Sequence, residues 1–581
     1  MNVFRERMKE QDPKSELSPP MTTWHLVKLY WQSEQKKTAY FYLVTLLILT
    51  LFLVAMNVAV TYWYKYFWNA IQEYNKERVF QLVFVFIALA AVFVVTAVYK
   101  FYVQARFSIR WRAWLTEHVI DTWLNNKAYY YIENFDAYTD NPDQRIQEDV
   151  NLFVSLTTSL FLGVVDAVVT LCSFMTLLWI LSGPLAIPLG SLGTLHISGY
   201  LVWIALIYSV VGTYITHKMG KKLIPLNFEQ QKREADFRFN AVRIRANAEN
   251  IALYQSQDKE KRGIVSVFHQ VIDVTLRVIN REKMLLYFTA GFNQISIIIP
   301  LLAALPMYFS KAIEIGGIQQ ISNAFAQVQS SLSFFVNAYT DLAQWRSVVM
   351  RLTTFMNKVR EVENTYANST EFKRKIHTNT SLVAKNLTLQ TQTGHTLFSG
   401  LNMTFDANKK YVIKGPSGVG KSTFIKALAG IWPFATGTVS LPKNKTVMYL
   451  PQRSYFPQGT LREVLMYPDE KAVSDAHLCA LLDDVGLPRL KRELNIMKNW
   501  SEILSLGEQQ KVAFIRVILS QPDWVFLDES TSSLDKDNER RLYQLLQMRL
   551  PNCAIVSVAH RESVADYHDE VVCIQPEDIP I

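Results

Sequence analysis

Cysteine is scarce in this sequence, and neither a leader-like N-terminus nor a clustered basic surface stands out. The 581 residues include four cysteines, and no two of them form a Cys-x-x-Cys pair. This pattern argues against a disulfide framework and a zinc site. Residues 1–37 are polar and lack an apolar core close to Met1, so we expect no cleavable signal. The net charge is +9, and the basic residues lie mostly beside apolar runs. This distribution predicts membrane-flanking charge and no nucleic-acid partner.

Long apolar runs fill the chain up to about residue 350, whereas the remainder has the mixed composition of a soluble α/β domain. A helix needs roughly 20 apolar residues to span a bilayer, and about six stretches meet that requirement. The last stretch is the least apolar because it contains several glutamines, and a polar helix at membrane depth must face protein or water. The candidate spans lie near residues 38–64, 80–103, 152–181, 186–215, 285–309 and 317–340.

Charges in the connections predict the orientation of these helices. Lysine and arginine are dense in the N-terminal segment and after the second and fourth spans, so both termini are expected in the cytoplasm. The two basic connections resemble helices that leave the membrane and turn in short elbows, near 140–143 and 247–254. Asp166 lies inside the third span, where it either serves a pathway or pairs with a polar group of another helix.

A phosphate-binding loop, Gly-x-x-x-x-Gly-Lys-Ser, is the strongest local signal. A strand-like stretch at 410–414 precedes it and a helix-like stretch at 424–429 follows it, which is the context that the motif requires. Glycines let backbone N–H groups turn onto phosphates, Lys421 can reach the β- and γ-phosphates, and Ser422 can ligate Mg²⁺. The predicted nucleotide-binding residues of the loop are Gly415, Ser417, Gly418, Gly420, Lys421, Ser422 and Thr423.

Further polar residues follow the loop, each at the end of a predicted strand. Gln452 ends the first strand, and an apolar strand ends in Asp528 and Glu529. Asp528 can hold Mg²⁺ beside the loop, because ligands bind at the carboxyl ends of strands in open α/β sheets, and Glu529 can polarise the attacking water. His560 ends another strand and can contact the γ-phosphate.

A helix is predicted between these strands, from the Leu-Ser-Leu-Gly-Glu-Gln stretch at 504–509 to about residue 520. Ser505 is placed as its N-cap, with Glu508 at the capping-box position. Taken singly, these residues and Gln452 carry little functional weight. Their order along the chain makes a chance arrangement improbable.

In this order the motifs resemble those of the ABC transporter family, over nearly the whole chain from about residue 20. The segments at 429–433, 449–455 and 233–238 are similar to the subfamily that joins peroxisomal fatty-acyl transporters with bacterial proteins related to BacA and SbmA. The resemblance implies a Walker A loop at 415–423, a set of catalytic residues that includes a glutamine which also binds metal, and a signature and a D-loop that contact the nucleotide. The corresponding residues are Gln452, Glu529 and His560 for catalysis, Ser422, Gln452 and Asp528 for metal, and Ser505, Gly507, Glu508 and Asp535 for the contacts.

The fold class that the resemblance implies is an α-helical membrane domain of the ABC exporter type, with about six transmembrane helices, followed by an α/β P-loop ATPase domain. We expect a cytoplasmic segment at 1–37, the membrane domain at 38–355, a linker at 356–380 and the ATPase domain at 381–581. The segment at 247–254 resembles the family's cytoplasmic coupling segment.

Two features depart from the family pattern. The signature usually reads Leu-Ser-Gly-Gly-Gln, and here Leu506 and Glu508 replace a glycine and the glutamine. Ser505 and Gly507 remain, which are the residues that the γ-phosphate contact requires. The second departure is Thr391, which stands where most ABC proteins carry the aromatic residue that stacks on adenine. Tyr411 or Phe398 could take over that role.

The sequence therefore predicts a homodimeric, ATP-driven transporter that uses ATP and Mg²⁺ in a bacterial inner membrane. Its partners would be a second copy, the lipid bilayer and a peptide-like, cobalamin-like or other amphipathic solute. Transport of fatty acyl groups or acyl-CoA is one alternative, and the chain's last residues carry no peroxisomal signal. An ATP-gated membrane regulator that does not pump is the other. The solute and the direction of transport stay open at this point.

Overall fold

The computed structural model describes residues 21–135, 141–182, 185–188, 194–367, 372–469 and 472–574. The chain forms two compact units. Met21–Asp121 and Asn141–Asn357 make up the helical unit, and Thr122–Asp140 and Lys358–Ile581 belong to the α/β unit. The α/β unit therefore includes a short piece of chain from within the predicted membrane half.

Long helices dominate the first part of the chain because its apolar runs are long and contain few glycines or prolines. A short antiparallel hairpin, β1 (Leu185–Pro188) and β2 (Thr194–Ile197), separates two of them. The helices are α1 (Thr23–Gln32), α2 (Lys36–Gln72), α3 (Lys76–Leu124), α4 (Ala128–Phe135), α5 (Val150–Leu181), α6 (Tyr200–Gly220), α7 (Leu223–Ala246), α8 (Ala248–Leu253), α9 (Gln257–Phe309), α10 (Ile315–Asn337) and α11 (Tyr339–Val362).

Within the described residues, five helical stretches are long and apolar enough to cross a membrane: Lys36–Gln72, Lys76–Phe135, Pro142–Leu181, Tyr200–Ala246 and Gln257–Phe309. The sixth predicted span corresponds to α10, which is more polar. Its Gln320 and Gln329 are buried, and the helix packs against α2, α5, α6 and α9. Neighbouring protein thus encloses this polar helix, as a polar sequence at membrane depth requires.

The fourth predicted span begins too early. The apolar sequence predicts a span at 186–215, but α6 begins only at Tyr200, after the β1–β2 hairpin. Glycines and prolines are frequent between 183 and 199, and they disfavour a helix interior. Gly199 precedes α6 with a left-handed φ of +71°. The mean apolarity of this stretch resembled a membrane helix, whereas its residue types require a turn.

The first elbow starts earlier than the sequence predicted. α3 ends at Leu124, a 3₁₀ turn follows with Asn126 and Lys127 in the left-handed region, and α4 then precedes the predicted elbow. Of the predicted elbow at 140–143, Asp140 lies outside the described residues. Asn141 precedes a one-turn helix, Pro142–Gln144, on the way back to α5.

The second elbow lies where it was predicted, because α8 occupies Ala248–Leu253 between α7 and α9. The extension of the flanking helices beyond the apolar runs is also observed. α9 spans 53 residues, far more than the roughly 20 needed to cross a bilayer.

A buried ion cluster joins α5 and α11 in the helical unit. Asp149, at the end of a π-helical turn (Arg145–Asp149), has a side chain that is 1% exposed. Arg351 of α11 donates to both carboxylate oxygens, and the Arg145 guanidinium lies 3.0 Å from one of them. Two guanidinium groups thus compensate one carboxylate that has no access to water.

Two sheets form the frame of the α/β unit. The five-stranded sheet has the order β13-β6-β12-β11-β8, and all of its pairs are parallel. The four-stranded sheet has the order β3-β7-β4-β5. The strands are β3 (Phe372–His377), β4 (Leu382–Gln390), β5 (Thr396–Phe405), β6 (Lys410–Lys414), β7 (Ala435–Pro442), β8 (Val447–Leu450), β11 (Trp524–Asp528), β12 (Ala554–Val558) and β13 (Glu570–Cys573), and a small pair adds β9 (Gly459–Thr460) and β10 (Met497–Lys498).

Helices pack on these sheets, and the α/β unit contains two apolar cores. One core lies around the P-loop helix and both sheets, and another lies among the helices that follow β9. Arg516 links the second group, because its guanidinium donates to the carbonyls of Val464 and Tyr455, and burial lowers its pKa to about 10. The helices are α12 (Lys421–Leu428), α13 (Leu461–Met466), α14 (Asp475–Asp484), α15 (Trp500–Ile503), α16 (Leu506–Ser520) and α17 (Lys536–Arg549).

Candidate nucleotide site

The P-loop joins the carboxyl end of β6 to the N-terminus of α12. Gly418 and Gly420 have φ values of +81° and +104°, which residues with a side chain rarely adopt. A Cβ on Gly415 would lie 2.6 Å from the carbonyl oxygen of Ile574, so this position also requires glycine. The loop therefore presents its backbone N–H groups at a helix N-terminus, the geometry that binds phosphate. Ser417 is exposed on the loop, and Thr423 lies half-buried in the first turn of α12.

Lys421 lies folded back onto its own loop. Its ammonium group donates to the carbonyls of Gly415 and Pro416 at 2.8 and 2.9 Å, and the side chain is only 5% exposed. Burial lowers the pKa of Lys421, although the nearby carboxylates of Glu529 and Asp528 oppose this shift. An anion bound in the loop would stabilise the charged form of Lys421 and oppose the effect of burial.

Ser422 and Asp528 meet beside the loop. The Ser422 hydroxyl donates to a carboxylate oxygen of Asp528 at 3.0 Å, because β11 ends next to the first turn of α12. Burial raises the pKa of Asp528, and the hydrogen bond from Ser422 only partly offsets that effect. Together the two side chains offer hard oxygen ligands, which suit a divalent cation such as Mg²⁺.

Glu529 lies between Gln452 and His560. The Gln452 amide donates to Glu529 Oε2 at 3.0 Å, and His560 Nε2 lies 3.1 Å from Oε1. Glu529 has a left-handed φ of +48°, and its N–H donates to the carbonyl of Val558 on β12. The structure thus brings together three residues that are far apart in the sequence, at the same sheet edge as Asp528.

The signature residues lie at the N-terminus of α16, and the predicted capping box is present. Ser505 Oγ accepts from the N–H of Glu508, and the Glu508 carboxylate accepts from the N–H of Ser505. A Cβ on Gly507 would lie 3.2 Å from the carbonyl oxygen of Ser533, so α16 approaches the D-loop (residues 532–535) closely. Asp535 itself caps α17 by accepting from the N–H of Asn538 at 2.7 Å.

The structure adds two supporting residues that the sequence analysis missed. Arg561 donates to the carbonyls of Ser532 and Leu534, and it pairs with Glu539 at 3.5 Å. The Glu539 side chain is 1% exposed and also accepts from Thr531. These contacts fix the D-loop from both sides. The one feature of the sequence that could have indicated a role for Arg561 is its position directly after His560.

Thr391 directly follows β4 and begins a tight turn. Its N–H donates to the carbonyl of His395, and its hydroxyl lies 2.8 Å from that of Thr393. The two rings considered as substitutes are unsuitable, because Phe398 and Tyr411 are 3% and 2% exposed and belong to the core. Neither can offer a free face to a base.

We therefore predict weak discrimination between ATP and GTP. Lys421, Ser422 and Asp528 would contact only the phosphates and the metal ion, which are the same for ATP and GTP. Thr391→Tyr should raise ATP affinity several-fold, since an aromatic contact contributes about 0.5–1.5 kcal/mol. The measurement is nucleotide binding by the wild type and the variant side by side. Unchanged affinity in the variant, with strong ATP preference in the wild type, would contradict the role assigned to position 391.

The helix α4 packs on the segment that follows the P-loop helix. The Phe135 ring meets those of Trp432 and Phe434 at centroid distances of 5.5 and 5.3 Å. Just before α4, the Lys127 ammonium donates to the carbonyls of Ala429 and Gly430 at 3.3 and 3.4 Å. A cation thus lies at the C-terminal end of α12, where it complements the helix dipole.

Comparison with known proteins agrees with this architecture. Residues 26–309 match the family model described as "ABC transporter transmembrane region 2", and residues 398–532 match the model "ABC transporter". The chain is 32% identical to the inner membrane ABC transporter ATP-binding protein YddA of Escherichia coli, over 94% of this chain and 96% of that protein. It is 30% identical to the chloroplastic ABC transporter D family member 2 of Arabidopsis thaliana, over 94% and 85%.

Among solved structures, the chain is similar to a bacterial Atm1-family ABC exporter with ATP bound. The TM-score is 0.72 at 16% identity, and the match covers 94% of this chain and 95% of that one. This likeness shows the exporter fold. The chain belongs to the ABC transporter family, as a half-transporter of the D type with fused membrane and ATPase domains. It is therefore a multi-pass membrane protein with an ATP-binding domain that implies ATPase activity.

Proposed function

We propose that the chain forms a homodimeric, ATP-driven transporter in a bacterial inner membrane, with both termini in the cytoplasm. Its solute would be peptide-like, cobalamin-like or another amphipathic molecule. The observation that carries this proposal is the position of Glu529 between Gln452 and His560. A protein that used ATP only for gating could tolerate loss of this arrangement, so pumping is favoured over regulation.

The residues of the site fit ATP and Mg²⁺. The P-loop N–H groups and Lys421 suit the phosphates, while Ser422, Asp528 and Gln452 offer oxygen ligands for the metal. When bound, Mg²⁺ would neutralise charge on the phosphates. Lys421 has to release two carbonyls to reach the phosphates. Glu529 would then orient the attacking water and accept its proton.

A second copy would complete the nucleotide site. Gln510, which directly follows the signature, donates to Ser532 and accepts from the N–H of Ser533, and among the described residues no hydrogen bond joins the signature to the P-loop of the same chain. We therefore infer that Ser505 and Gly507 contact phosphates that are held by the P-loop of the second copy. Dimerisation follows from the half-transporter fold, and we propose that the partner is an identical chain.

The contact of α4 with the end of α12 suggests how hydrolysis drives transport. Movement of the P-loop helix would reach α4 through Lys127 and Phe135, and α4 is continuous in sequence with the membrane helix α3. Burial lowers the pKa of Lys127, and the nearby charge of Arg374 adds to this. The apolar and charged contacts together tie α4 to the nucleotide site.

The function is tested by ATP hydrolysis in nanodiscs. Purified wild-type protein should hydrolyse ATP, and one class among peptides, cobalamins and acyl-CoAs should accelerate it. Uptake of the same solute into proteoliposomes would then establish transport. A comparison of proteoliposomes that hold the protein in opposite orientations would distinguish import from export.

The outcomes separate the candidates. Stimulation by acyl-CoA alone would replace the proposed solute class with the fatty-acyl alternative. Hydrolysis without movement of any solute would favour a regulator. Lack of hydrolysis by well-folded protein would contradict the proposed function altogether.

A further inference from the structure

The signature of this chain contains a carboxylate close to the hydroxyl that should meet phosphate. Ser505 donates to Glu508 Oε2 through its hydroxyl at 3.2 Å and through its N–H at 3.0 Å. A negative charge therefore lies within hydrogen-bond distance of Ser505 Oγ. Left uncompensated, this charge would repel a nucleotide phosphate that approached the same hydroxyl.

Arg489 lies against this carboxylate. It extends from the 3₁₀ helix Pro488–Glu493, and its Nη2 and Nε lie 2.7 and 3.3 Å from Glu508 Oε1. The two oxygens of Glu508 thus have different partners, with Arg489 on one and Ser505 on the other. Among the residues that the structure describes, Arg489 is the cation that pairs with Glu508.

The carboxylate is more enclosed than the guanidinium, because their side chains are 24% and 54% exposed. Burial by itself would raise the pKa of Glu508, but hydrogen bonds from Arg489 and Ser505 outweigh burial and hold it below its ordinary value. Glu508 therefore stays charged at neutral pH. Protonation cannot remove the repulsion, and a neighbouring cation has to do so.

We propose that Arg489 is a positioning residue that neutralises Glu508, so that the signature of one chain can approach the phosphates held by a second copy. This inference rests on the proposed homodimer with a shared nucleotide site. Arg489 acts here through Glu508 and not through contact with the nucleotide. An exposed ion pair adds little to folding stability, so its main effect falls on the local charge at the signature.

The test is a double-mutant cycle on full-length protein in nanodiscs. Arg489→Gln should lower kcat/KM for ATP by about tenfold, because it leaves an unpaired charge near the phosphates. In the Glu508→Gln background the same change should alter kcat/KM by less than about twofold, since no carboxylate remains to be neutralised. Arg489→Lys keeps the charge and should retain most of the activity.

Two further readouts separate this role from a structural one. Rising salt should shrink the defect of Arg489→Gln, because screening weakens repulsion between exposed charges. Arg492→Gln is the matched control, since Arg492 is exposed on the same 3₁₀ helix. It should reproduce wild-type kcat/KM at every salt concentration.

An equal loss from Arg489→Gln in both backgrounds would overturn the inference, because it would indicate direct contact between Arg489 and nucleotide. Wild-type kinetics in Arg489→Gln would also overturn it. A defect that salt leaves unchanged and that accompanies a lower melting temperature would point to folding instead. Absence of ATP hydrolysis in the wild type would refute the proposed function itself, which is a distinguishable result.

Discussion

Replacement of Glu529 by glutamine should leave ATP binding intact and lower turnover by about 10² or more, the usual loss when a general base is removed. Glutamine keeps the size of the side chain and can still accept from Gln452, so the arrangement around His560 survives. The P-loop and the Ser422–Asp528 pair are untouched. Nucleotide should therefore hold the dimer closed without hydrolysis.

Two measurements check this result, namely nucleotide affinity and single-turnover hydrolysis. Lys421→Ala is the contrasting variant, because it removes the cation that would reach the phosphates and should lose binding itself. Near-normal turnover in Glu529→Gln would place the base elsewhere. Identical behaviour of the two variants would contradict the separate roles proposed for binding and catalysis.

The second large effect is expected from Arg351→Met in the helical unit. The change leaves the buried Asp149 carboxylate with Arg145 alone. We expect the free energy of unfolding to fall by about 3 kcal/mol, the lower end of the usual loss when a buried ion pair loses one partner, because Arg145 remains. Asp149→Leu added to Arg351→Met should recover part of this loss, because it removes the uncompensated charge. Thermal inactivation midpoints in detergent give the comparison.

Arg346→Met serves as the control for this series, since Arg346 is exposed on the same helix, α11. It should inactivate at the wild-type temperature. If the double variant proved less stable than Arg351→Met, the buried carboxylate would not be the source of the cost, and the ion cluster would have another role.

The sequence predicted the strand ends and helix starts around the P-loop closely, because local patterns determine most of them. The strand expected at 410–414 is β6, with those same bounds, and the expected carboxylate at a strand end is Asp528 at the end of β11. The capping box of Ser505 and Glu508 depends on residues three apart, so its hydrogen bonds follow from the helix start alone. Such features need no knowledge of distant contacts.

Features that depend on long-range packing could not be predicted in the same way. The contact of Lys127 with Ala429 joins residues 302 positions apart, and nothing in either segment indicates the other. The pairing of Arg489 with Glu508 likewise depends on how a 3₁₀ helix lies against α16. The hairpin before α6 was missed because apolarity outweighed the glycines and prolines in the prediction.

The inclusion of α4 in the α/β unit has a practical consequence for dissecting this protein. A fragment that begins at β3 would lack α4 and would leave the rings of Trp432 and Phe434 without Phe135. Exposed aromatic surface of this kind favours self-association, so such a fragment should aggregate more readily than the same fragment supplied with residues 122–135. A peptide covering residues 122–135, added in trans, would supply the Phe135 ring and should reduce this aggregation.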